Sequence, residues 1–230
     1  NVIGLVANIY CGSASIAIGD ITDVLTGKDI GNSAISYIVI HSRIPASVTA
    51  LLTGASLGVC GLLLQSYFRN PLAGPSILGI TSGANLAVAI CTLGFGMISG
   101  FTLTMSAMAG AMLILLILLC LSKIVRQTIT LLIVGILISY LTNAIITLLN
   151  YYSTAEGVQS LLIWGMGNFN GVGSANLLLF CLLNLMGIGM SVFLIKPLNG
   201  WMLGQQYAAN LGISIARTRL LTLATTGLLS

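Results

Sequence analysis

The chain has 230 residues, of which 57% are hydrophobic and 5% are charged, and its formal net charge is +4. Soluble domains carry roughly 25% charged residues, so this composition excludes an ordinary water-exposed fold and indicates a bilayer as the surrounding solvent. A membrane-spanning helix needs about 20 mostly apolar residues. We therefore predict five full spans, at residues 44–68, 76–98, 101–122, 128–149 and 174–195. Two further apolar runs, at residues 1–18 and 220–230, are cut by the chain ends, and we therefore expect the chain to be a fragment.

These spans are predicted to be helices, because they are continuous apolar runs without the alternation of a membrane β-strand. Proline lacks an N–H group and costs least outside a span. The sequence predicts that the four prolines lie at span edges or between spans, at Pro45, Pro71, Pro75 and Pro197. Gly54 and Gly58, with Gly61 one turn on, have the spacing that allows two helix backbones to approach closely.

The basic residues are distributed unevenly between the two alternating sets of loops. Lys and Arg in short loops favour the cytoplasmic side. One set holds six basic and no acidic residues, namely Arg69, Lys123, Arg126, Lys196, Arg217 and Arg219. The other set holds Lys28 and Arg43 together with all four acidic residues, Asp20, Asp23, Asp29 and Glu156. The first set is therefore predicted to be cytoplasmic, which places residues 19–43 outside.

The sequence offers no candidate catalytic residue, metal ligand or cofactor site. No span carries a charge in its middle, where ion-coupled transporters place ionisable groups. The Gly27-Lys28 pair has Thr22 where a phosphate-binding loop needs its leading glycine, so ATP hydrolysis is expected in another subunit. The five cysteines are isolated and lack metal-ligand spacing.

Residues 43–84 read RIPASVTALLTGASLGVCGLLLQSYFRNPLAGPSILGITSGA. This stretch resembles the FecCD family, the permease subunits of bacterial importers for siderophores, haem and cobalamin. The matching positions are Arg43, Pro45, Gly61, Gln65, Arg69 to Ala73, Pro75, Leu78-Gly79 and Gly83-Ala84. Further stretches at 107–118, 161–171 and 203–212 also fit. The resemblance implies a ten-span, all-α permease of the type II importer kind, of which roughly the last three spans lie beyond this chain.

The resemblance assigns a cytoplasmic gate to the connection after span 44–68. Pro71 and Pro75 block helix continuation there. Asn70 and Leu72 match gate-lining positions, and Thr128 occupies the place of a second gate element. The Asn70 amide is expected to hydrogen-bond the exposed ends of neighbouring helices. The alternative is a rigid turn without a gating role.

Residues 199–219 are too polar to span the membrane and are long enough for two short helices. By resemblance they form the segment that couples the permease to its ATPase, with a short helix from Leu203 to Leu211. The assigned coupling residues are Leu203, Gly204, Gln205, Ala208, Leu211 and Gly212. The family usually carries a glutamate where Gln205 stands. The alternative is a solvated loop.

On the opposite side, the resemblance implies that Arg43 docks an acidic residue of the external binding protein. The motif's second arginine is Ala46 here, so this docking should be weaker. The alternative is that Arg43 only positions its helix in the membrane. Residues 151–173 form the longest outer connection, which the resemblance makes a re-entrant helix. In span 128–149, Asn143 and Thr147 share one face by their i, i+4 spacing and are candidates for the pathway wall.

Taken together, residues 1–230 are predicted to form a single transmembrane permease domain in the bacterial inner membrane. The expected partners are a second permease copy, two ATPase subunits and a periplasmic or lipoprotein substrate-binding protein, with no nucleic acid. The chain itself would alternate access and perform no chemistry. Two alternatives stay open: an ion-coupled secondary transporter or channel, and an inactive truncated permease.

Overall fold

In the computed structural model, the described residues are 4, 8–10, 16–26, 33–96, 99–125 and 127–230. Every regular element among them is helical, which confirms the all-α expectation. We number the α-helices α1 (Ile18–Leu25), α2 (Ser33–Ile38), α3 (Ile44–Phe68), α4 (Ile80–Ala89), α5 (Gly100–Ile124), α6 (Thr128–Tyr152), α7 (Ala155–Gly165), α8 (Gly173–Met202), α9 (Gln205–Asn210) and α10 (Ile215–Leu229). A π-helical segment, Val39–Arg43, joins α2 to α3, and a second one, Ile90–Gly94, extends α4. Two 3₁₀ turns lie at Pro75–Leu78 and Phe169–Val172.

Within the described part of the chain, four helical runs are long and apolar enough to cross a membrane. They are Ala34–Phe68, Gly100–Ile124, Thr128–Tyr152 and Asn176–Met202, and each contains or closely matches a predicted full span.

The fifth full span, predicted over residues 76–98, is instead a shorter apolar helix at Ile80–Gly94. The chain first makes the 3₁₀ turn Pro75–Leu78, and Gly79 then adopts the left-handed φ of +76°. The helix can therefore begin only at Ile80, and its 15 residues give a length of about 22 Å. The predicted first span, residues 1–18, lies mostly outside the described residues.

Two of the four prolines lie inside helical runs, so the prediction that all of them sit at span edges or between spans is wrong. Pro197 is within α8, which continues to Met202 and so takes in the start of the segment predicted to be polar and non-spanning. Pro45 is the second residue of α3, directly after the π-helical turn Val39–Arg43. A π turn widens the helix by one residue, which makes room for a proline ring that would otherwise meet the preceding turn.

The described chain divides into two compact units, one of residues 1–55 and 168–185, the other of residues 56–167 and 186–230. In the first unit, Ile21 and Val39 are completely buried. In the second unit, α4 packs extensively against α5 and also against α6, and α10 packs against α5. Its core includes Leu64, Leu118, Leu131, Leu194 and Leu223.

The close helix approaches occur at glycines other than the predicted ones. A Cβ atom built on Gly83 would lie 2.8 Å from the carbonyl oxygen of Gly110, so α4 and α5 touch backbone to backbone. Among the described residues, no atom lies within 4 Å of a Cβ built on Gly54, Gly58 or Gly61. The close-packing role predicted from the spacing of those three is therefore wrong for the described part of the chain.

Candidate functional site

Five side chains from separate elements of the second unit meet at one end of its helices. We call this group the junction and define it as Tyr67, Thr128, Trp201, Gln205 and Arg219. It links the end of α3, the start of α6, the end of α8, and the helices α9 and α10. Three of these residues, Tyr67, Trp201 and Arg219, were not among the predicted site residues.

A side-chain hydrogen bond joins the predicted coupling segment to a predicted gate residue. The Gln205 Nε2 group donates to the Thr128 hydroxyl oxygen at 2.9 Å. Gln205 is the first residue of α9 and Thr128 the first residue of α6, so the bond connects the beginnings of two helices. Both side chains are half-buried, which shields the bond partly from competing water.

Arg219 holds the end of α5. Its guanidinium donates to the carbonyl oxygens of Ser122 and Val125, each at 2.6 Å, and only 9% of the residue is exposed. The last carbonyls of a helix have no partner within the helix, and a cation also suits the negative end of the helix dipole. Arg219 therefore caps α5 from a different helix, α10.

Tyr67 and Trp201 form the apolar floor of the junction. The Trp201 indole N–H donates to the Tyr67 carbonyl oxygen at 3.0 Å, and the two rings stack with centroids 5.2 Å apart. Both residues are 1% exposed. The Tyr67 hydroxyl lies beside Thr128 and Arg219. The aromatic pair thus ties the end of α3, immediately before the predicted gate loop, to the same cluster.

The predicted gate loop is a tight turn in which Pro71 and Leu72 are both exposed. Arg69 has a positive φ of 49°, and the Asn70 side-chain oxygen accepts the backbone N–H of Leu72 at 2.9 Å. Asn70 therefore stabilises its own turn. The sequence had led us to expect that its amide would instead hydrogen-bond the ends of neighbouring helices. Leu72 is 82% exposed. The gate role of Asn70, Leu72 and Thr128 stays a prediction.

The short helix predicted from Leu203 to Leu211 is present as α9, Gln205–Asn210. The polar segment holds no second short helix after it, because the long helix α10 begins at Ile215. Glycines with positive φ flank α9, at 128° for Gly204 and 78° for Gly212. Leu203, Tyr207 and Leu211 are 68%, 55% and 58% exposed.

Ala208, in contrast, is completely buried. It therefore packs against the chain itself, and the apolar surface open to a partner here consists of Tyr207 of α9 and of Leu203 and Leu211 on either side of the helix. Beside this face lies an open pocket of about 580 Å³, lined by Arg69, Leu203, Gly204, Gln205, Gln206, Tyr207 and Asn210.

These contacts place several of the basic connections at the same end of the second unit. Arg69 shares a pocket with α9, Arg219 binds the end of α5 next to Lys123, and Gln205 binds Thr128. The contacts thus bring Arg69, Lys123 and Arg219 to one end, as the charge pattern predicted, and the cytoplasmic placement of this end stays a prediction. Arg126 and Lys28 lie outside the described residues.

Arg43 belongs to the first unit and points into it. The residue is 7% exposed, and its guanidinium donates to the carbonyl oxygens of Ile9 at 3.0 Å and Tyr10 at 3.3 Å. In this geometry Arg43 ties the start of α3 to the carbonyls of Ile9 and Tyr10, a role that the sequence did not suggest. The docking role stays a prediction, and it would require the side chain to leave these carbonyls.

The two predicted pathway residues lie on α6 as expected. Asn143 and Thr147 are both exposed, and the Thr147 hydroxyl donates to the Asn143 carbonyl oxygen at 2.9 Å. The connection 151–173, predicted to be outer, contains the helix α7, whose N-cap Thr154 accepts the backbone N–H of Gly157. Among the described residues, no group of three or more His, Cys, Asp or Glu side chains could hold a metal ion.

Comparison with known proteins adds three findings. The model of the FecCD transport family matches residues 1–230. The vitamin B12 import system permease protein BtuC of Salmonella paratyphi A is 34% identical over 189 residues, covering 80% of this chain and 57% of that protein. BtuC of Pectobacterium atrosepticum is 36% identical over 182 residues, covering 77% of this chain and 54% of the relative. The chain thus spans little more than half the length of these relatives.

A solved structure is also similar. It is described as an inward-facing conformation of a transporter assigned to the metal-chelate type of ABC transporters. The TM-score is 0.81 at 29% sequence identity, and the match covers 99% of this chain and 70% of the other.

Proposed function

Because this chain belongs to the FecCD transport family, we propose that it is the membrane-spanning permease subunit of an ATP-driven importer. One observation carries the proposal. Tyr207 of the short helix α9 and the flanking Leu203 and Leu211 are exposed, while the first residue of α9, Gln205, donates a hydrogen bond to Thr128 at the start of the long helix α6. A rigid short helix joined to a spanning helix can pass a rigid-body displacement from a partner into the membrane.

The proposed partner at this end is an ATPase subunit, in two copies for a pair of permeases. Leu203, Tyr207 and Leu211 offer apolar area that a protein groove would bury. ATP hydrolysis belongs to that subunit, because the sequence has no phosphate-binding loop. This end of the helices is then the cytoplasmic one, in agreement with the charge asymmetry.

The proposed substrate is a large metal chelate, with cobalamin as the first compound to test. The BtuC relatives are named for vitamin B12 import, and the similar solved structure for metal-chelate transport. An external binding protein would deliver the chelate on the opposite side of the inner membrane. Asn70, Leu72 and Thr128 would form the inner gate, and Asn143 and Thr147 part of the pathway wall between two permease copies.

Reconstitution tests this proposal. The permease and its ATPase are placed in lipid vesicles with the binding protein, and uptake of labelled cobalamin and of a labelled ferric siderophore is measured with and without ATP. We expect uptake that requires ATP. Uptake driven by a proton or sodium gradient without ATP would overturn the proposal in favour of a secondary transporter.

The same system tests the ATPase contact through one side chain. Tyr207→Ala should weaken binding of the ATPase to the permease in lipid discs by about fivefold or more, since tyrosine is enriched among the interface residues whose truncation costs more than about 1 kcal/mol. Tyr151→Ala is the matched control, because Tyr151 is 80% exposed and lies at the far end of α6 from Thr128. Equal binding by the Tyr207 variant and the control would contradict the contact.

A further inference from the structure

The connection between α5 and α6 is held from both of its ends by the segment that carries α9 and α10. At one end, Arg219 binds the carbonyl oxygens of Ser122 and Val125. At the other end, Gln205 binds the hydroxyl of Thr128. Gln205 and Arg219 lie close together along the chain. Gln205 is the first residue of α9, and Arg219 lies in the second turn of α10.

These two contacts differ in strength and in how well they can follow a movement of α9. The Arg219 contact is nearly buried and charge-assisted, and it ends on backbone carbonyls, so it suits a fixed point. The Gln205 contact is half-buried and joins two neutral side chains, so it is weaker and can follow a movement of α9. Gln205 opens the helix that carries Tyr207, whereas Thr128 opens the helix that carries Asn143 and Thr147.

The backbone around α9 favours movement of the helix as one body. Gly204 and Gly212 bound it, each in a positive-φ conformation that a side chain would strain. Ala208 is completely buried, and its carbonyl oxygen accepts the backbone N–H of Ile213 at 3.0 Å, which ties α9 to the turn before α10. A partner that pushes on the exposed face of α9 would therefore shift Gln205 together with the rest of the helix.

We propose that Gln205 and Thr128 are a pair of positioning residues that convert displacement of α9 into displacement of the N-terminus of α6, with the Arg219 contact as the fixed point. This inference rests on the proposed function, since it requires a partner that moves α9. We call the hydrogen bond between Gln205 and Thr128 the link. Because neither of its side chains titrates, the link is the same between about pH 6 and 8. The hydroxyl of Thr128 is the essential group, and its methyl group is not.

A double-mutant cycle in the reconstituted permease–ATPase complex tests the link. The quantity measured is cobalamin taken up per ATP hydrolysed, for the wild type, Thr128→Val, Gln205→Met and the double variant. Each single variant should lower this ratio by about three- to tenfold, the loss expected from one hydrogen bond. The double variant should be no worse than either single one, because both remove the same contact. Thr128→Ser should restore the ratio to the wild-type value.

Two controls separate the link from general damage. Thr130→Val, an exposed position on the same turn of α6, should leave the ratio unchanged. Thermal unfolding of each variant in detergent shows whether it folds, and Thr128→Ser keeps the test valid if Thr128→Val proves unstable. A Thr128→Ser ratio as low as that of a folded Thr128→Val, or single-variant losses that multiply in the double variant, would overturn the link.

The failures of the two proposals are distinguishable. If the wild-type complex shows no ATP-dependent uptake, the proposed function is overturned and the link falls with it. If the wild-type complex takes up substrate with ATP and the folded Thr128→Val variant matches it, only the link is overturned.

Discussion

Two arginines of this chain, Arg219 and Arg43, bind backbone carbonyls, although the sequence predicted only a cytoplasmic loop position for Arg219 and a docking role for Arg43. Such contacts use the guanidinium to satisfy acceptors that a helix end or a loop leaves open. A charged donor on a carbonyl is worth roughly 1.5–3 kcal/mol, and its removal also leaves the carbonyls buried without a partner. Both residues should therefore matter first for stability.

We expect Arg219→Ala to lower the free energy of unfolding by at least about 2 kcal/mol, because two charge-assisted bonds to Ser122 and Val125 are lost. The measurement is unfolding by heat or by denaturing detergent in micelles. Arg217→Ala is the matched control, since Arg217 is exposed and such changes usually stay within about 0.5 kcal/mol. Equal losses in the two variants would contradict the capping role of Arg219.

For Arg43, one variant tests both of its possible roles. Arg43→Ala removes the bonds to the carbonyl oxygens of Ile9 and Tyr10 and should lower the unfolding free energy by roughly 1.5–3 kcal/mol. If Arg43 also docks the binding protein, association should slow and its salt dependence should flatten, while Ala46→Arg should do the reverse. Unchanged association kinetics at two salt concentrations would reject docking, and unchanged stability would reject anchoring.

At the scale of the elements, glycine decides how closely the helices of the second unit approach. A Cβ built on Gly110 would meet the carbonyl oxygen of Gly83 and lie 2.6 Å from the Cβ of Ala87. A Cβ built on Gly135 would lie 2.8 Å from the carbonyl oxygen of Ile77. Backbone atoms cannot rotate away as a side chain can, so any larger residue at these positions forces the helices apart.

We predict that Gly110→Ala destabilises the protein by about 1–3 kcal/mol, the usual cost of overpacking a close contact. Gly61→Ala provides the contrast, since no described atom lies within 4 Å of the added Cβ. Alanine in mid-helix should then stabilise by roughly 0.5–1 kcal/mol through reduced chain entropy. Thermal unfolding in detergent measures both variants, and a Gly110→Ala protein as stable as the wild type would refute the close approach.

At the scale of the whole molecule, the predicted orientation in the bilayer rests on the charge asymmetry and is consistent with the contacts. Lys123 and Lys196 belong to the basic set, and Glu156 belongs to the acidic set. The described contacts bring the basic connections to the end that holds the junction. A short segment crossing the bilayer in the wrong sense would have to carry these charges across the hydrocarbon, which is costly.

We expect a cysteine at position 123 or 196 to react with a membrane-impermeant thiol reagent only from the cytoplasmic side, and one at position 156 only from outside. The experiment uses a background in which the five native cysteines are replaced. Inverted vesicles provide the control for access to the cytoplasmic face. Labelling of position 156 from the cytoplasm would reverse the proposed orientation and move the ATPase contact to the other side.

The sequence alone was enough for the properties that depend on composition and local pattern. The all-helical class follows from continuous apolar runs, because only helices satisfy their own backbone in lipid. The polar composition of residues 199–219 indicated only that this stretch does not span the membrane, and the short helix α9 was implied by its resemblance to the family. The grouping of the basic connections was predicted from their charge. The motif from Arg43 to Ala84 pointed to the FecCD family, to which the match over residues 1–230 assigns the chain.

Tertiary structure decided which groups meet. Nothing local in the sequence indicates that Gln205 reaches Thr128, 77 residues away, or that Arg219 binds carbonyls 94 and 97 residues earlier. Helix spacing identified Gly54, Gly58 and Gly61 as close-packing positions, whereas Gly83 and Gly110 hold the contact. Periodicity shows which face of a helix is small or polar, but the face that a neighbour covers depends on connections elsewhere in the chain. For α9 too, contacts with other parts of the chain determine which side is covered, so Ala208 is buried and Tyr207 is exposed.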